Sequence, residues 1–212
     1  MLYVWIILIA TALISFYNAW FVAPMVGLER WECVVCTVVL VVAVIAVDGL
    51  TAFIVRRMPE KGFRHGKSFW IPSKKEKKFY EKLKIRKWKD KVPELGQFTG
   101  FRKNKIDDPS NNEYLERYFL EVNYGQVGHF LSVFTSFLIL WIFPKLCWTA
   151  ALPVAIVSVA LNVPSLFILR YNSYKLETLY QSNARKAARK KAALVEQEPP
   201  ALDEVVVTRG NA

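Results

Sequence analysis

One stretch of this chain places a carboxylate and an imidazole where a long basic segment meets an apolar one. Glu121 and His129 stand eight residues apart in the run Glu-Val-Asn-Tyr-Gly-Gln-Val-Gly-His. Histidine exchanges protons near neutral pH, and the chain contains two of them. His129 is therefore the predicted general base; the alternative is an interfacial histidine that bonds a neighbouring helix.

Glu121 and His129 cannot bond each other directly if this segment is helical. Eight residues rise about 12 Å and turn the two side chains apart by roughly 80 degrees. Glu121 is thus predicted to orient a substrate, not to relay a proton. Gly125 lies between them on the same broad face and leaves a slot, which either admits substrate or serves close helix packing.

Asp48 is the single charged residue in the apolar run 34–55. It lies about seven residues, or roughly 10 Å, inside one end of that run. A carboxylate at this depth needs a partner or water. Asn162 and His129 are the candidate partners, and Asp48 is predicted either to bind substrate or to make a purely structural hydrogen bond.

The elements that must position these residues are apolar spans. The runs 2–26, 34–55 and 146–169 are uncharged apart from Asp48, and each can cross about 30 Å of hydrocarbon. The run 127–143 is at the short end of this range. The sequence predicts an all-α integral membrane protein with about four transmembrane helices. The first run lacks a basic start and a small-residue cleavage site, so we expect it to be retained.

Charge is segregated along the 212 residues, which are 53% hydrophobic with a net charge of +11. All but two of the 29 Lys and Arg residues lie in 56–127 or after Leu169; the exceptions are Arg30 and Lys145. Basic loops stay on the cytoplasmic side. We therefore expect a multi-pass protein of the cell membrane, with the N-terminus, the basic loop and the C-terminal tail in the cytoplasm.

The predicted divisions follow from these runs. Residues 1–55 hold the first two transmembrane helices, and 56–126 form a basic cytoplasmic or interfacial loop. Residues 127–170 hold helices three and four, and 171–212 a basic helix and a disordered cytoplasmic tail.

The basic loop contains ten Lys or Arg residues between Lys74 and Lys91, interleaved with aromatic and aliphatic ones. One helix would place these apolar side chains on opposite faces, so a break near Lys84 and two short helices are predicted. Such helices would lie on the bilayer with membrane lipids as partners. A solvated charged helix pair is the alternative. Nucleic acid is not a predicted partner, because no recognition motif accompanies the charge.

A further helix is predicted to begin near Glu113, with Asn111 or Asn112 as its cap, and to carry His129 into the third span. His65 is predicted to be a polar loop residue. No metal site is predicted, because the two histidines are far apart and no ligand cluster surrounds either. The sequence predicts no bound cofactor, and it does not reveal the oligomeric state.

Three blocks of the basic and C-terminal regions resemble the bacterial glycosyl-4,4'-diaponeurosporenoate acyltransferases. The blocks are Tyr80-Glu-Lys-Leu83, the segment 85–93 around Trp88-Lys89, and Arg170-Tyr-Asn172. Asn162-Val-Pro164 is similar too. The likeness covers roughly residues 55–172, and the order and spacing of the blocks agree.

That family carries a Glu-Thr-x-Arg-Ala-Glu-x-x-His-Trp block before its third span, and Glu121 and His129 match it at the same separation. The chain departs from it where Tyr124, Gln126 and Phe130 replace Arg, the second Glu and Trp. These departures bear on the identity of the acceptor, so another glycolipid or lipid alcohol stays open beside a glycosylated carotenoid.

The resemblance implies a membrane acyltransferase that moves a fatty acyl chain from acyl-CoA or an acyl-carrier donor to a sugar hydroxyl of a hydrophobic glycolipid acceptor. The acceptor it implies is a glycosylated carotenoid of staphyloxanthin-type pigment biosynthesis. His129 would be the base, and Glu121 would position the substrate. Basic residues of 74–91, with Arg170, would hold the donor phosphates. The predicted substrate-binding residues are Asp48, Trp88, Lys89, Gly125, Asn162, Arg170 and Asn172. The alternative is a non-catalytic four-span scaffold whose basic loop binds anionic lipid or partner proteins.

Overall fold

Six helices carry the architecture in the computed structural model, which describes residues 2–66, 68–92 and 106–197. In chain order they are α1 Leu2–Val26, α2 Arg30–Arg57, α3 Lys74–Lys82, α4 Ile85–Trp88, α5 Asn112–Thr135 and α6 Leu152–Gln197. The other regular segments in these ranges are short 3₁₀ or π turns. The predicted all-α class is confirmed for this part of the chain, and the predicted disordered tail lies outside it.

The hairpin of α1 and α2 is apolar along almost its whole length. The hydrogen-bond ladder of α1 widens into a π turn at Asn18–Val22, where the Asn18 amide donates to the Thr149 carbonyl at 2.8 Å. α2 begins on a capping box in which the side chains of Glu29 and Glu32 each accept from the other's backbone N–H. These contacts give the Asn18 amide and the first backbone N–H groups of α2 hydrogen-bond partners in an otherwise apolar hairpin.

Three helical segments are long and apolar enough to cross a membrane by length and composition: Leu2–Val26, Arg30–Arg57 and Pro144–Leu194. They contain three of the four predicted runs, which supports a membrane protein. The run 127–143 is not among them. It begins inside α5, whose first half is polar, and continues through the 3₁₀ segment Ser136–Trp141. The fourth crossing therefore stays a prediction.

One face of the 3₁₀ segment nevertheless packs in the apolar interior. Ile139 belongs to one buried cluster with Leu40 of α2 and Leu146 before α6. The Ser136 hydroxyl donates to the Ser132 carbonyl at 2.6 Å. The segment that follows His129 thus packs on α2 and α6 with one face, and Leu138 and Trp141 on its other face are exposed.

A basic hairpin, residues 74–92, packs on the part of α6 that follows Pro164. The hydroxyl of Ser73 caps α3, and Lys84, with φ of 52°, separates α3 from α4. The predicted break near Lys84 is confirmed. Tyr80 and Ile85 are buried in one cluster with Tyr171 of α6, so the hairpin is anchored by aromatic packing, and most of its lysines are exposed.

Two long helices position the candidate site. Asn111 caps α5 by accepting from the backbone N–H of Glu113 and Tyr114, as one of the two predicted caps. α6 runs unbroken from the apolar region through Pro164 to Gln197. The predicted divisions at 126/127 and 170/171 fall inside α5 and α6, so one continuous helix crosses each.

Candidate active site

A hydrogen-bonded chain joins His129 of α5, Asn162 of α6 and Asp48 of α2, and we call these residues the membrane triad. His129 Nδ1 lies 2.8 Å from Asn162 Oδ1, and Asn162 Nδ2 donates to Asp48 Oδ2 at 3.2 Å. The Ser158 hydroxyl donates to the same carboxylate oxygen at 3.0 Å. Asn162 is thus the direct partner of Asp48 that the sequence predicted, and His129 reaches the carboxylate through it.

The direction of these bonds determines the tautomer of the neutral imidazole. Because the Asn162 amide nitrogen faces the Asp48 carboxylate, its Oδ1 is the acceptor, and His129 Nδ1 must carry the proton. This assignment is inferred from the hydrogen-bond network. Nε2 is then the proton-accepting nitrogen of the ring. A base oriented by a second group, which is held by a third, is the usual arrangement of activated catalytic sites.

The carboxylate of Asp48 borders a small cavity. Its Oδ1 is buried and has no hydrogen-bond partner among the described residues. A cavity of about 70 Å³ lies beside it, lined mainly by apolar side chains of α1, α2 and α6. One water needs about 10–15 Å³ of such volume. The cavity therefore has room for the water or substrate hydroxyl that the second carboxylate oxygen requires.

Glu121 does not join the membrane triad. Its Oε2 accepts from Arg56 Nη2 at 2.9 Å, and both side chains are partly exposed. The ion pair links α5 to the C-terminal end of α2. The catalytic and orienting role of Glu121 stays a prediction, since its described contact is this ion pair.

Gly125 allows α5 to approach α6 closely. A Cβ atom at this position would lie 3.0 Å from Leu169 Cδ1, whereas one at Gly128 would meet nothing within 4 Å. This geometry favours the helix-packing alternative for Gly125 over a slot that holds substrate. The close approach brings Asn162 within reach of His129.

A second polar network, which we call the rim clamp, fastens the basic hairpin to α6. Arg170 donates from Nε and Nη2 to the two carboxylate oxygens of Glu76, both at 2.8 Å. Its Nη1 donates to the Phe69 carbonyl at 2.9 Å and to Gln126 Oε1 at 3.2 Å. All three guanidinium nitrogens therefore have protein acceptors, so Arg170 is held as a structural cross-link between the hairpin, α5 and α6.

Electrostatics keep the rim clamp ionised. Burial raises the pKa of the Glu76 carboxyl, but hydrogen bonds from Arg170 and Tyr80, together with the charge of Arg170, outweigh burial and bring the pKa below its ordinary value. Burial, and next the hydrogen bond that its hydroxyl donates to Glu76 at 2.7 Å, raise the pKa of Tyr80. Tyr80 therefore stays a neutral donor at physiological pH.

The remaining predicted binding residues lie in the basic hairpin and further along α6. The Trp88 indole donates to the Leu83 carbonyl at 2.9 Å, which closes the turn between α3 and α4. Lys89 Nζ lies 3.8 Å from Asp90 Oδ1. Asn172 Nδ2 is buried without a partner in the described part of the chain. None of the described hydrogen bonds connects these residues to the membrane triad.

An apolar pocket of about 280 Å³ opens between the basic hairpin, α5 and α6, and we call it the rim pocket. Aromatic rings form most of its wall, and Gln126 and Arg170 lie at its polar side. The α6 residues that line it begin at Leu166, one helical turn after Asn162. The full lining is Phe69, Trp70, Tyr80, Gln126, Val127, Phe130, Leu166, Phe167 and Arg170.

His65 lies in a turn, as the sequence predicted, but its side chain also joins two distant segments of the chain. Its Nε2 lies 2.6 Å from Glu177 Oε2, with the two side chains 17% and 10% exposed. Its ring packs between Phe119 at 4.4 Å and Tyr180 at 4.2 Å between centroids. The pair ties the segment after α2 to the distal part of α6. No sequence signal marked it, because its members are 112 residues apart.

Sequence reasoning also missed Ser158, Glu76 and Gln126. Each is a common polar residue that becomes informative only when a partner from another helix faces it. The helical spacing of Ser158 and Asn162, four residues apart, could have drawn attention to Ser158, because both then lie on one face of α6.

The fold and the site together define an α-helical membrane protein with an oriented histidine inside its apolar bundle. The profile of one family, glycosyl-4,4'-diaponeurosporenoate acyltransferase, matches residues 59–182, which is more than half of the chain. The protein belongs to this family and is an acyltransferase. The matched region contains the rim clamp, His129 and Asn162. Comparisons with curated proteins and with solved structures gave no match.

Proposed function

We propose that this protein transfers a fatty acyl chain from an acyl thioester to a sugar hydroxyl of a glycosylated carotenoid, as in staphyloxanthin-type pigment biosynthesis, with His129 as the general base. The observation that carries the proposal is the membrane triad: a histidine oriented through an amide by a buried carboxylate. Family membership supports the reaction class and the type of acceptor.

The reaction follows from the chemistry of the oriented ring. His129 Nε2 accepts the proton of the sugar hydroxyl as that oxygen attacks the thioester carbonyl. A C–O bond forms, the C–S bond breaks, and the imidazolium returns the proton to the departing sulfur. The Asn162 amide holds Nδ1–H in place, and the Asp48 carboxylate stabilises the positive charge that develops on the ring. Asp48 and Asn162 therefore act as positioning residues.

The surroundings of the triad suit an apolar acceptor with a polar head. A carotenoid chain is apolar and would lie among the membrane helices, with its sugar at their cytoplasmic rim. Large exposed apolar side chains cover α1 and α2, as expected for surfaces in lipid. Tyr3, at the start of α1, donates to the Leu161 carbonyl at 3.1 Å, so the first residues and the triad lie at the same depth. From this shared depth we infer four crossings in total, with 127–143 as the third.

Topology completes the proposal. With four crossings, the N-terminus, the basic loop and the tail face the cytoplasm, where acyl thioesters are made available. The donor is acyl-CoA or an acyl-carrier thioester. Membrane lipids contact Phe69, just before the basic hairpin, and Phe79 within it; these side chains are 73% and 49% exposed.

The test pairs the two histidines. His129→Gln, His65→Gln and wild type are expressed in cells that make the glycosylated carotenoid, and lipids are analysed by mass spectrometry. Wild type should add the mass of one acyl chain. His129→Gln should lower the rate by about 10²–10⁴-fold at equal membrane content, and His65→Gln should keep the activity of its folded fraction.

Two results would contradict the proposal. Undiminished transfer in His129→Gln would remove the histidine from the mechanism. The absence of any acyl shift in wild-type cells, together with lipid binding that depends on the basic hairpin, would favour the scaffold alternative. A shift on another glycolipid would keep the base and replace the acceptor.

A further inference from the structure

Two basic side chains, Arg86 and Lys175, meet at Tyr171 of α6, and a third, Lys89, acts on Lys175 by its charge. Arg86 Nε donates to the Tyr171 hydroxyl at 2.9 Å, and Lys175 Nζ lies 5.0 Å from the centroid of the Tyr171 ring. Lys89 and Arg86 lie close enough to Lys175 for their charges to repel its own. Asp90 is a carboxylate that offsets this repulsion, and it lies 3.8 Å from Lys89.

The cluster of Arg86, Lys89 and Lys175 thus gathers three positive charges with one nearby carboxylate. Like charges held together are unfavourable unless an anion completes the group. The other arginine of this region, Arg170, is fully engaged by the rim clamp, whereas Arg86 offers Nη1 and Nη2 beyond its one described bond. A guanidinium and two ammonium groups match the oxygens of phosphate.

The rim pocket adjoins this cluster through shared residues. Tyr80 and Phe167 line the pocket, and their ring centroids lie 5.6 Å apart. Tyr80 also belongs to the same buried cluster as Tyr171, the residue that Arg86 and Lys175 contact. Along α6 the order is therefore Asn162 of the triad, then the pocket, then the cations. In an acyl thioester of phosphopantetheine the arm separates the phosphate from the thioester, so a pocket between the cations and the base lies where the arm would lie.

We propose that Arg86, Lys89 and Lys175 bind the phosphate groups of the acyl donor's phosphopantetheine arm, and that the rim pocket receives the arm between its phosphate and the thioester. This inference rests on the proposed function, since the thioester must reach His129. It assigns donor recognition to the cation cluster, and it leaves Arg170 as the residue that holds the pocket wall in place.

The test measures binding without chemistry. The full chain in nanodiscs of zwitterionic lipid is titrated with an unreactive thioether of coenzyme A carrying a 12-carbon chain. Lys89→Gln/Lys175→Gln should weaken binding by at least about 10-fold, as expected for the loss of charge-assisted hydrogen bonds. Lys186→Gln/Lys190→Gln, with the same charge change further along α6, should change it less than twofold. Lys89→Arg/Lys175→Arg should restore it and would expose a folding defect in the glutamine variant.

The apolar half is tested with Leu166→Trp, which fills the rim pocket. This substitution should weaken binding of the thioether by about 10-fold, because the arm can no longer lie in the pocket. Binding of inorganic pyrophosphate, which carries phosphate without the arm, should stay unchanged. Unchanged binding of the thioether in Leu166→Trp would remove the pocket from the proposal.

Further arms separate the sources of the phosphate. An acylated carrier protein that shows the same loss in Lys89→Gln/Lys175→Gln identifies the phosphopantetheine arm itself as the shared ligand. Equal weakening by the Lys186→Gln/Lys190→Gln control would overturn the site. Loss of binding to phosphatidylglycerol vesicles with unchanged binding of the thioether would overturn it too, because the cluster would then serve lipid headgroups.

The result of the binding test can be told apart from the result of the acyl-transfer test of the proposed function. His129→Gln should bind the thioether as wild type does, because the base does not contact the phosphate. If wild-type cells show acyl transfer and the cation cluster variants bind normally, the donor site is wrong and the function stands. If binding behaves as expected and no acyl transfer occurs, the site stands for a phosphate-bearing thioester and the proposed function falls.

Discussion

The membrane triad and the rim clamp are two partly buried polar networks that meet α6, where Asn162 and Arg170 lie about 12 Å apart. In the rim clamp each guanidinium nitrogen has an acceptor, and both oxygens of the Glu76 carboxylate accept from Arg170. In the membrane triad the His129 ring is oriented, and one oxygen of the Asp48 carboxylate has no hydrogen-bond partner among the described residues. Both networks are polar, and the difference is whether an unused acceptor remains within the part of the chain that the structure describes. A saturated network joins helices, whereas an unsaturated one beside a base can act on a substrate.

The largest expected effect comes from cutting the triad at its centre. Asn162→Leu removes both the acceptor for His129 Nδ1 and a donor to Asp48, so the ring loses its fixed tautomer. We expect kcat of acyl transfer to fall by about 10²-fold or more and its pH profile to change. Asn183→Leu on the distal part of α6, where the amide donates to the Pro109 carbonyl, serves as the control. A loss of membrane content without a change in kcat would make the triad a structural network like the rim clamp.

A substitution in the rim clamp should lower the stability of the contact between the basic hairpin and α6. Arg170→Lys keeps the charge but loses the two-pronged contact with Glu76 and the bond to the Phe69 carbonyl. Hydrogen exchange of the α3 amides should report a loss of about 2 kcal/mol in the free energy of opening. Arg64→Lys, whose pair with Glu60 is exposed, should change it by less than about 0.5 kcal/mol. Equal effects in both variants would show that the clamp contributes nothing beyond a surface ion pair.

Acid should release the clamp in a way that depends on Glu76. Because the folded-state pKa of this carboxyl lies below its ordinary value of 4.5, its contribution is fully present above that value and is lost as the pH falls through the folded pKa. The thermal unfolding midpoints of wild type and Glu76→Gln should differ at pH 6 and converge toward pH 3. A constant difference across this range would mean that the ionised carboxylate is not the stabilising species.

The smallest effect concerns the helix spacing on which both networks depend. Gly128→Ala has open space and should stabilise α5 by about 0.5–1 kcal/mol through its backbone entropy. Gly125→Ala must displace the Leu169 methyl from 3.0 Å, which should cancel that gain. Denaturant titration of the two variants checks the difference. Equal stabilisation by Gly128→Ala and Gly125→Ala would show that α5 and α6 can accommodate an extra methyl group at this contact.

Local properties of the chain account for the features that were correctly predicted. The membrane class follows from uncharged runs, because their composition alone determines whether they can lie in hydrocarbon. The break at Lys84 and the Asn111 cap follow from side chains that act within one turn. Asp48 stood out because a carboxylate is costly in apolar surroundings, and His129 because an imidazole exchanges protons near neutral pH, so both could be singled out without knowledge of their partners, and their roles stay predictions.

Only the tertiary structure decided what these residues do to one another. The bond of His129 to Asn162 spans 33 residues, and that of Arg170 to Glu76 spans 94. No periodicity records such distances, because hydrogen bonds between helices depend on packing and rotation. For the same reason the sequence placed His65 in a loop, where it lies, but did not show that its ring packs between Phe119 and Tyr180. Composition determined that the chain enters the membrane, and helix packing decided that Asn162 links His129 to the carboxylate of Asp48.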